Sequence, residues 1–301
     1  MDTIKGGYFM IKLKVNSCDG VYDSLDVRFN KACDNRCKFC IERKGIDSLG
    51  DTKVDKMIKT TIESKKKDVL ILGGEPLLQP ELVLKYIEGI RGYVDTIYLT
   101  TSLPKIITEG EGFELFKEIV GLLDGINVSI HHYDNDINNK VLNSVNPHNR
   151  IDFLYEILKY DEIRNKVRVC CNLVNGYIDS KKEIDMFLIT MASIGVKHVK
   201  LNELQNVDTN TYISFENVYG IKLKSPFSHG CQSDVSGLFS GINMKVTLKR
   251  SCFCNKDISI AKATVGDLVK CVCKKVNKNL NSNNFKVLYE DGSIANSWLQ
   301  K

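Results

Sequence analysis

The chain predicts an α/β fold: six βα units curled into a partial (β/α)6, TIM-like barrel, followed by a cysteine-rich C-terminal extension. Three observations predict it. Between about residues 24 and 205, short β-branched apolar runs alternate with longer amphipathic segments, the pattern of repeated βα units around a parallel sheet. The amphipathic segments carry apolar residues at spacings of three and four, as helices packed on such a sheet do. Beyond residue 206 the composition changes: residues 244–301 hold 11 Lys and Arg against 4 Asp and Glu, a charge of +7, whereas the preceding residues sum to −2.

Residues 1–23 read as a lead-in, with a strand over 8–15 that ends at a turn containing Asp19 and Gly20. The barrel, residues 24–205, has strands over 25–30, 68–73, 96–101, 126–131, 167–173 and 199–203. Between them the apolar periodicity places helices over 55–65, 81–91, 113–123, 149–160 and 182–194. Ser180 gives the last helix an N-terminal cap, Glu183 an acidic first turn, and Gly195 a stop. Residues 206–301 form the basic appendage. No repeat or low-complexity linker sets them apart, so they are expected to pack on the barrel.

At 301 residues, 43% hydrophobic and 26% charged, the chain is neither disordered nor fibrous. A net charge of +5 is mild and implies neither nucleic acid nor a membrane surface. Eleven cysteines are many for this length, and an odd number leaves one unpaired in any disulfide framework. No signal-like or membrane-length apolar run stands out, so a cytoplasmic protein is expected, with thiols available for metal or chemistry.

Cys33, Cys37 and Cys40 stand as C-x3-C-x2-C on the loop after the first barrel strand, where barrels place their chemistry. Three thiolates on one short loop can hold a [4Fe–4S] cluster and leave one iron open to a ligand. Zinc is the competing reading, but structural zinc wants a fourth ligand and usually paired C-x2-C units. With Phe39 before the third cysteine, this loop resembles the defining motif of the radical S-adenosylmethionine (SAM) superfamily. Leu72-Gly73-Gly74-Glu75-Pro76 resembles that family's second motif, at the end of the second strand. The resemblance covers about residues 20–205.

The resemblance implies a [4Fe–4S] cluster and SAM as cofactors. Reductive cleavage of SAM then gives methionine and a 5′-deoxyadenosyl radical, which abstracts hydrogen from a substrate. It implies an electron donor such as a flavodoxin or ferredoxin. It also gives Gly73, Gly74 and Glu75 to the methionine moiety, and Thr100, Thr101, Ser102 and Ser129 to its carboxylate or the ribose. Arg168 and Asn172 share a strand face toward the carboxylate, and Asn202 and Leu204 stand where adenine is held.

Other candidates carry less. His131 and His132 end the fourth strand and are the catalytic candidates, although strand alternation turns at most one of them inward. Asp134, Asp136 and Asn138 mimic the opening of a calcium loop, but Asn139 and Val145 replace its glycine and closing glutamate, so calcium is rejected. Cys170 and Cys171 read as small core hydrophobes, and Cys18 is uninformative. Cys231, Cys252, Cys254, Cys271 and Cys273 include two C-x-C pairs. By resemblance to radical SAM enzymes with auxiliary clusters they suggest a second [4Fe–4S] centre, with zinc the rival. The layout resembles the branch holding the GTP 3′,8-cyclases and the SPASM and twitch enzymes. Here, however, C-x-C pairs replace the cyclase spacing and the C-terminal Gly-Gly is missing. Lys245, Lys249 and Arg250 suit an anionic, nucleotide-like substrate. A peptide substrate, paired along the strand over 8–15, is the alternative. A non-enzymatic nucleic-acid scaffold is the other, and the tail's lack of interleaved aromatics argues against it.

Overall fold

The computed structural model describes residues 3–6, 9–15, 24–40, 49–204, 210–219, 232–239, 242–249 and 286–296. In chain order it begins with β1 (Thr3–Gly6), β2 (Phe9–Val15), β3 (Ser24–Arg28), α1 (Val54–Ser64), β4 (Asp68–Leu72), α2 (Pro80–Ile90) and β5 (Thr96–Thr101). Next come α3 (Gly110–Leu122), β6 (Gly125–Ser129), α4 (Asn135–Leu142), α5 (Arg150–Ile157), α6 (Asp161–Arg164), β7 (Val167–Asn172) and α7 (Lys181–Ser193). The described chain closes with β8 (His198–Asn202), α8 (Phe215–Tyr219), β9 (Gln232–Phe239), β10 (Ile242–Lys249), β11 (Lys286–Leu288) and β12 (Ile294–Ala295). The six barrel strands lie where the apolar runs place them, to within two residues at each end. The class is α/β with mostly parallel strands along the βα repeats.

Two units divide the chain. The first comprises Val21–Ser129, Leu142–Val167 and Asn281–Lys301. Its strands run in the order β6-β5-β4-β3-β11-β12, parallel from β6 to β11, with β12 antiparallel to β11. The register lines up Val27, Ile71, Leu99 and Ile126 across four neighbouring strands, and all four are fully buried. On α2 the apolar face of Val83, Tyr86, Ile87 and Ile90 is buried, each side chain contributing about 1.5–3 kcal/mol. The one polar group on that face, the Tyr86 hydroxyl, meets Thr61 Oγ1 of α1 at 2.7 Å. Arg28 pairs with Glu290 through two hydrogen bonds of 2.9 and 3.1 Å and lies 4.2 Å over the Tyr289 ring, fastening β11 beside β3.

The second unit comprises Met1–Gly20, Ile130–Val141 and Arg168–Leu280. Its strands run β1-β2-β9-β10-β8-β7, antiparallel from β1 to β10 and parallel from β10 to β7. Helix α7 starts as its signal predicts: Ser180 Oγ accepts from the Glu183 amide at 3.2 Å, and Gly195, at φ 92°, follows its end.

Helix α4 has no counterpart in the sequence reading. Asp134 Oδ1 accepts from the Ile137 amide at 2.9 Å, so the Asp134, Asp136 and Asn138 set that resembles a calcium loop is the capped start of a helix. The helix expected over 149–160 is α5, which ends at Ile157, and a further short helix, α6, follows it. Bonds from Lys159 to Glu156 and from Tyr160 to Ile157 tighten the chain between them, and Asp161 and Glu162 open the second. The described parts of residues 206–301 join both sheets: β9 and β10 extend that of the second unit, β11 and β12 that of the first. Cys18, Cys231, Cys252, Cys254, Cys271 and Cys273 lie outside the described residues, and so does the second cluster proposed on the last five. Among the described residues no helix is long and apolar enough to cross a membrane.

Candidate functional site

Within the first unit the cysteine loop leaves the C-terminal end of β3. Cys33, Cys37 and Cys40 are half-buried and free of disulfides. Burial, then the neighbouring Glu75 carboxylate, pushes the Cys33 thiol up to about 12. Burial and then Cys40 raise the Cys37 thiol as well, and because thiolates are the ligands, metal binding here releases protons. Among the described residues no three His, Cys, Asp or Glu side chains converge as one metal ion requires. A cluster needs something else, because each thiolate holds its own iron around a larger object. Three soft donors on one short loop fit that group.

The Gly-Gly-Glu-Pro turn leaves β4 and is docked on the same loop. The Glu75 amide donates to Ala32 O at 2.7 Å, and Asn30 Nδ2 donates to Glu75 O at 3.0 Å. Gly73 and Gly74 have φ of 80° and 59°. A Cβ on Gly73 would lie 2.4 Å from Arg28 Cγ, and one on Gly74 2.3 Å from Asn30 Oδ1 and 2.4 Å from Ala32 O. Both glycines are thus required by close backbone packing, apart from any ligand. Asn30 Oδ1 is buried and has no hydrogen-bond partner among the described residues, an acceptor beside the glycine turn that wants a donor.

Glu75 is buried, and all four acceptor positions of its carboxylate are filled. Leu77 N (3.2 Å) and Thr101 Oγ1 (2.7 Å) donate to Oε1, while Ser102 N and Ser102 Oγ (both 2.7 Å) donate to Oε2. Burial pushes it up to about 7 against the pull of the Ser102 and Thr101 hydrogen bonds. Its side chain ties the ends of β4 and β5 together and leaves no spare arm for a ligand. The Ser102 hydroxyl is likewise engaged, accepting from Asn35 Nδ2 at 2.8 Å, and Thr100 Oγ1 accepts from Asn127 Nδ2 at 3.2 Å. Phe39 and Ser129 are half-buried in this unit.

Sequence reasoning missed Arg150. Its side chain is fully buried and donates from Nε to Ser102 O at 2.8 Å and from Nη2 to Asn35 Oδ1 at 3.2 Å and Ser144 Oγ at 3.1 Å. Asp34 faces it at 3.5 Å. Burial raises the Asp34 carboxyl, with Arg150 opposing, and burial lowers the Arg150 guanidinium. One signal was readable: a cation in the first turn of a helix opposes the helix dipole, so it has another task.

In the second unit His131 and His132 are both buried, 4% and 3% exposed. His131 Nδ1 accepts from the Asn172 amide at 3.1 Å, and Asn202 Nδ2 donates to Asn172 Oδ1 at 3.2 Å. These contacts bring His131, Asn172 and Asn202 together at the ends of β7 and β8. Arg168 is half-buried on β7, and Leu204 is buried beyond β8. His132 Nδ1 accepts from the Asp134 amide at 3.0 Å, and its Nε2 stands 3.7 Å from Glu183 Oε2, which also accepts from the Tyr133 hydroxyl at 2.9 Å. Burial lowers His132 below the ordinary imidazole value and keeps it neutral at neutral pH. Cys171 is buried as a core residue, and Cys170 is half-buried.

Residues 27–190 match the family model of the radical SAM superfamily. Among curated proteins, the GTP 3′,8-cyclase of Helicobacter pylori is 26% identical over 132 residues, 40% of this chain and 39% of the cyclase. Among solved structures, Streptococcus suis SuiB bound to S-adenosylmethionine superposes with a TM-score of 0.54 at 12% identity, covering 91% of this chain and 60% of SuiB. The chain therefore spans less than two thirds of either relative, and the likeness to SuiB is one of fold.

Proposed function

The chain belongs to the radical SAM superfamily, and from that membership we propose that it cleaves S-adenosylmethionine reductively at a [4Fe–4S] cluster on Cys33, Cys37 and Cys40, acting on an anionic, nucleotide-like small molecule. The observation that carries the chemistry is the docking of the two motif loops on each other: the Glu75 amide on Ala32 O, and the Asn30 side chain on Glu75 O. Cysteines and glycines that met only by chance in sequence would have no reason to share a strand end.

When bound, the cluster and SAM supply one-electron reduction of the sulfonium and, from it, hydrogen-abstracting chemistry. The chain's own part is to hold and orient. The three thiolates would hold the cluster, and Gly73 and Gly74 let their turn pack against Arg28, Asn30 and Ala32 beside it. Asn30 Oδ1, buried without a donor among the described residues, suits an amino group. Glu75 keeps the glycine turn and the β5 end in one arrangement, so that the groups facing a ligand need not reorganise. A flavodoxin- or ferredoxin-type protein is the proposed electron donor.

The substrate class rests on the similarity to the Helicobacter pylori cyclase and on the +7 charge of residues 244–301, which favours an anion. The test is an anaerobic screen of the reconstituted, reduced protein with SAM and a panel of nucleoside triphosphates, nucleosides and peptides. Nucleotides are expected to raise 5′-deoxyadenosine turnover and nucleosides without phosphate to do so weakly. Stimulation by peptides alone would replace this substrate class with the peptide reading.

A further inference from the structure

We propose that Arg150 is a positioning residue for the cluster loop: its guanidinium, seated between the two ligand cysteines' intervening residues and the β5 end, sets the loop in its ligating conformation before any cluster is bound. This rests on the reading that Cys33, Cys37 and Cys40 hold the cluster.

Arg150 meets the loop at Asp34 and Asn35, two of the three residues between Cys33 and Cys37. From the same guanidinium a 2.8 Å bond reaches Ser102 O, and Ser102 in turn holds the Glu75 carboxylate. The motif loops are thereby joined a second time, through the Arg150 guanidinium and Ser102. Residues 142–150 complete a clasp around the loop. Val145 N donates to Asp34 O at 2.8 Å, Arg36 N to Leu142 O at 3.0 Å, and Cys37 Sγ to Leu142 O at 3.3 Å. Asn143, at φ 48°, ends α4 in the left-handed conformation that asparagine readily adopts at a helix C-terminus and turns the chain into this clasp. A buried cation at the first turn of α5 is costly in two ways, by desolvation and by the helix dipole, and an apolar side chain would fill the space more cheaply. What an apolar side chain cannot do is reach Ser102, Ser144, Asn35 and Asp34 from one rigid plane. Lysine, a single rotatable charge, cannot do so either.

The full chain carrying Arg150→Lys or Arg150→Met tests this in two states. In the metal-free state, iodoacetamide alkylation of Cys33, Cys37 and Cys40 is followed peptide by peptide. Both variants are expected to react at least roughly tenfold faster than the parent, the factor set by losing one charge-assisted hydrogen bond. After anaerobic reconstitution, Arg150→Lys is expected to hold less iron and to show a weaker change in the reduced cluster's electron paramagnetic resonance spectrum when SAM is added. If Arg150→Met does not fold, Arg150→Lys carries the test, because it keeps the charge and loses only the fork. Parent-like alkylation together with a parent-like spectrum in Arg150→Lys overturns the proposal. A parent chain that takes up no cluster overturns the underlying reading instead, and the alkylation rates still report on the clasp.

Discussion

Gly74 shows how much a single residue constrains this site. At φ 59°, with Asn30 Oδ1 and Ala32 O where its Cβ would be, Gly74→Ala strains the backbone and overpacks the strand end. It is expected to cost about 1–3 kcal/mol in urea unfolding of the metal-free protein. A cost near zero would show that the turn is not packed as described. The glycines and cysteines could be singled out by residue type and spacing, but the packing of Gly73 and Gly74 on Arg28, Asn30 and Ala32 could not. The work of Glu75 was legible only in part. Its place in the motif is visible in sequence, but the four donors on its carboxylate come from Leu77, Thr101 and Ser102, a convergence only the fold creates. Of Arg150 only its misplaced charge at a helix start was legible; its partners Asp34 and Ser102 lie 116 and 48 residues away.

Among elements, β4, β5, β7 and β8 were placed well because burial alternates along each of them, and β6 because it is a short apolar run buried on both faces. Periodicity failed at α4, whose eight residues, Asn-Asp-Ile-Asn-Asn-Lys-Val-Leu, carry three asparagines, weak helix formers, over little more than two turns. The cap of α7 gives a direct check: Ser180→Ala removes the acceptor of the Glu183 amide and is expected to destabilise by about 1 kcal/mol. A second check lies at the loops between α2, β5 and β6. Asp124 accepts from Arg91 Nη1 at 2.5 Å and from the Ile97 amide at 2.7 Å, and the Arg91 hydrogen bond holds its carboxyl below the usual carboxylate range. A depressed carboxyl stabilises the fold above its unfolded pKa and loses that contribution as pH falls through its folded one. Asp124→Asn is therefore expected to cost about 0.2–1 kcal/mol at neutral pH, the pair being partly exposed, and the difference should shrink on acidification. Thermal melts of both proteins across the acid range follow it; a difference that grows toward acid contradicts the assignment.

For the whole chain, the sequence divides at residue 205 by composition, whereas the sheets divide it otherwise. Strands β9 to β12, from the basic C-terminal third, complete the sheets of both units. Composition registers charge and cysteine content, and it is blind to which strand pairs with which. The late cysteines make an independent prediction: a chain with Cys33, Cys37 and Cys40 all changed to alanine still takes up iron on reconstitution if Cys231, Cys252, Cys254, Cys271 and Cys273 build a second cluster. No iron in that variant would end the idea.

The central claim is that Cys33, Cys37 and Cys40 hold the cluster at which SAM is cleaved. The most direct measurement is the 5′-deoxyadenosine formed when the anaerobically reconstituted protein is reduced in the presence of SAM, beside Cys37→Ala prepared identically. The expected result is 5′-deoxyadenosine from the parent and none from Cys37→Ala. A fully reconstituted parent that forms none, or a variant that forms as much as the parent, would contradict it.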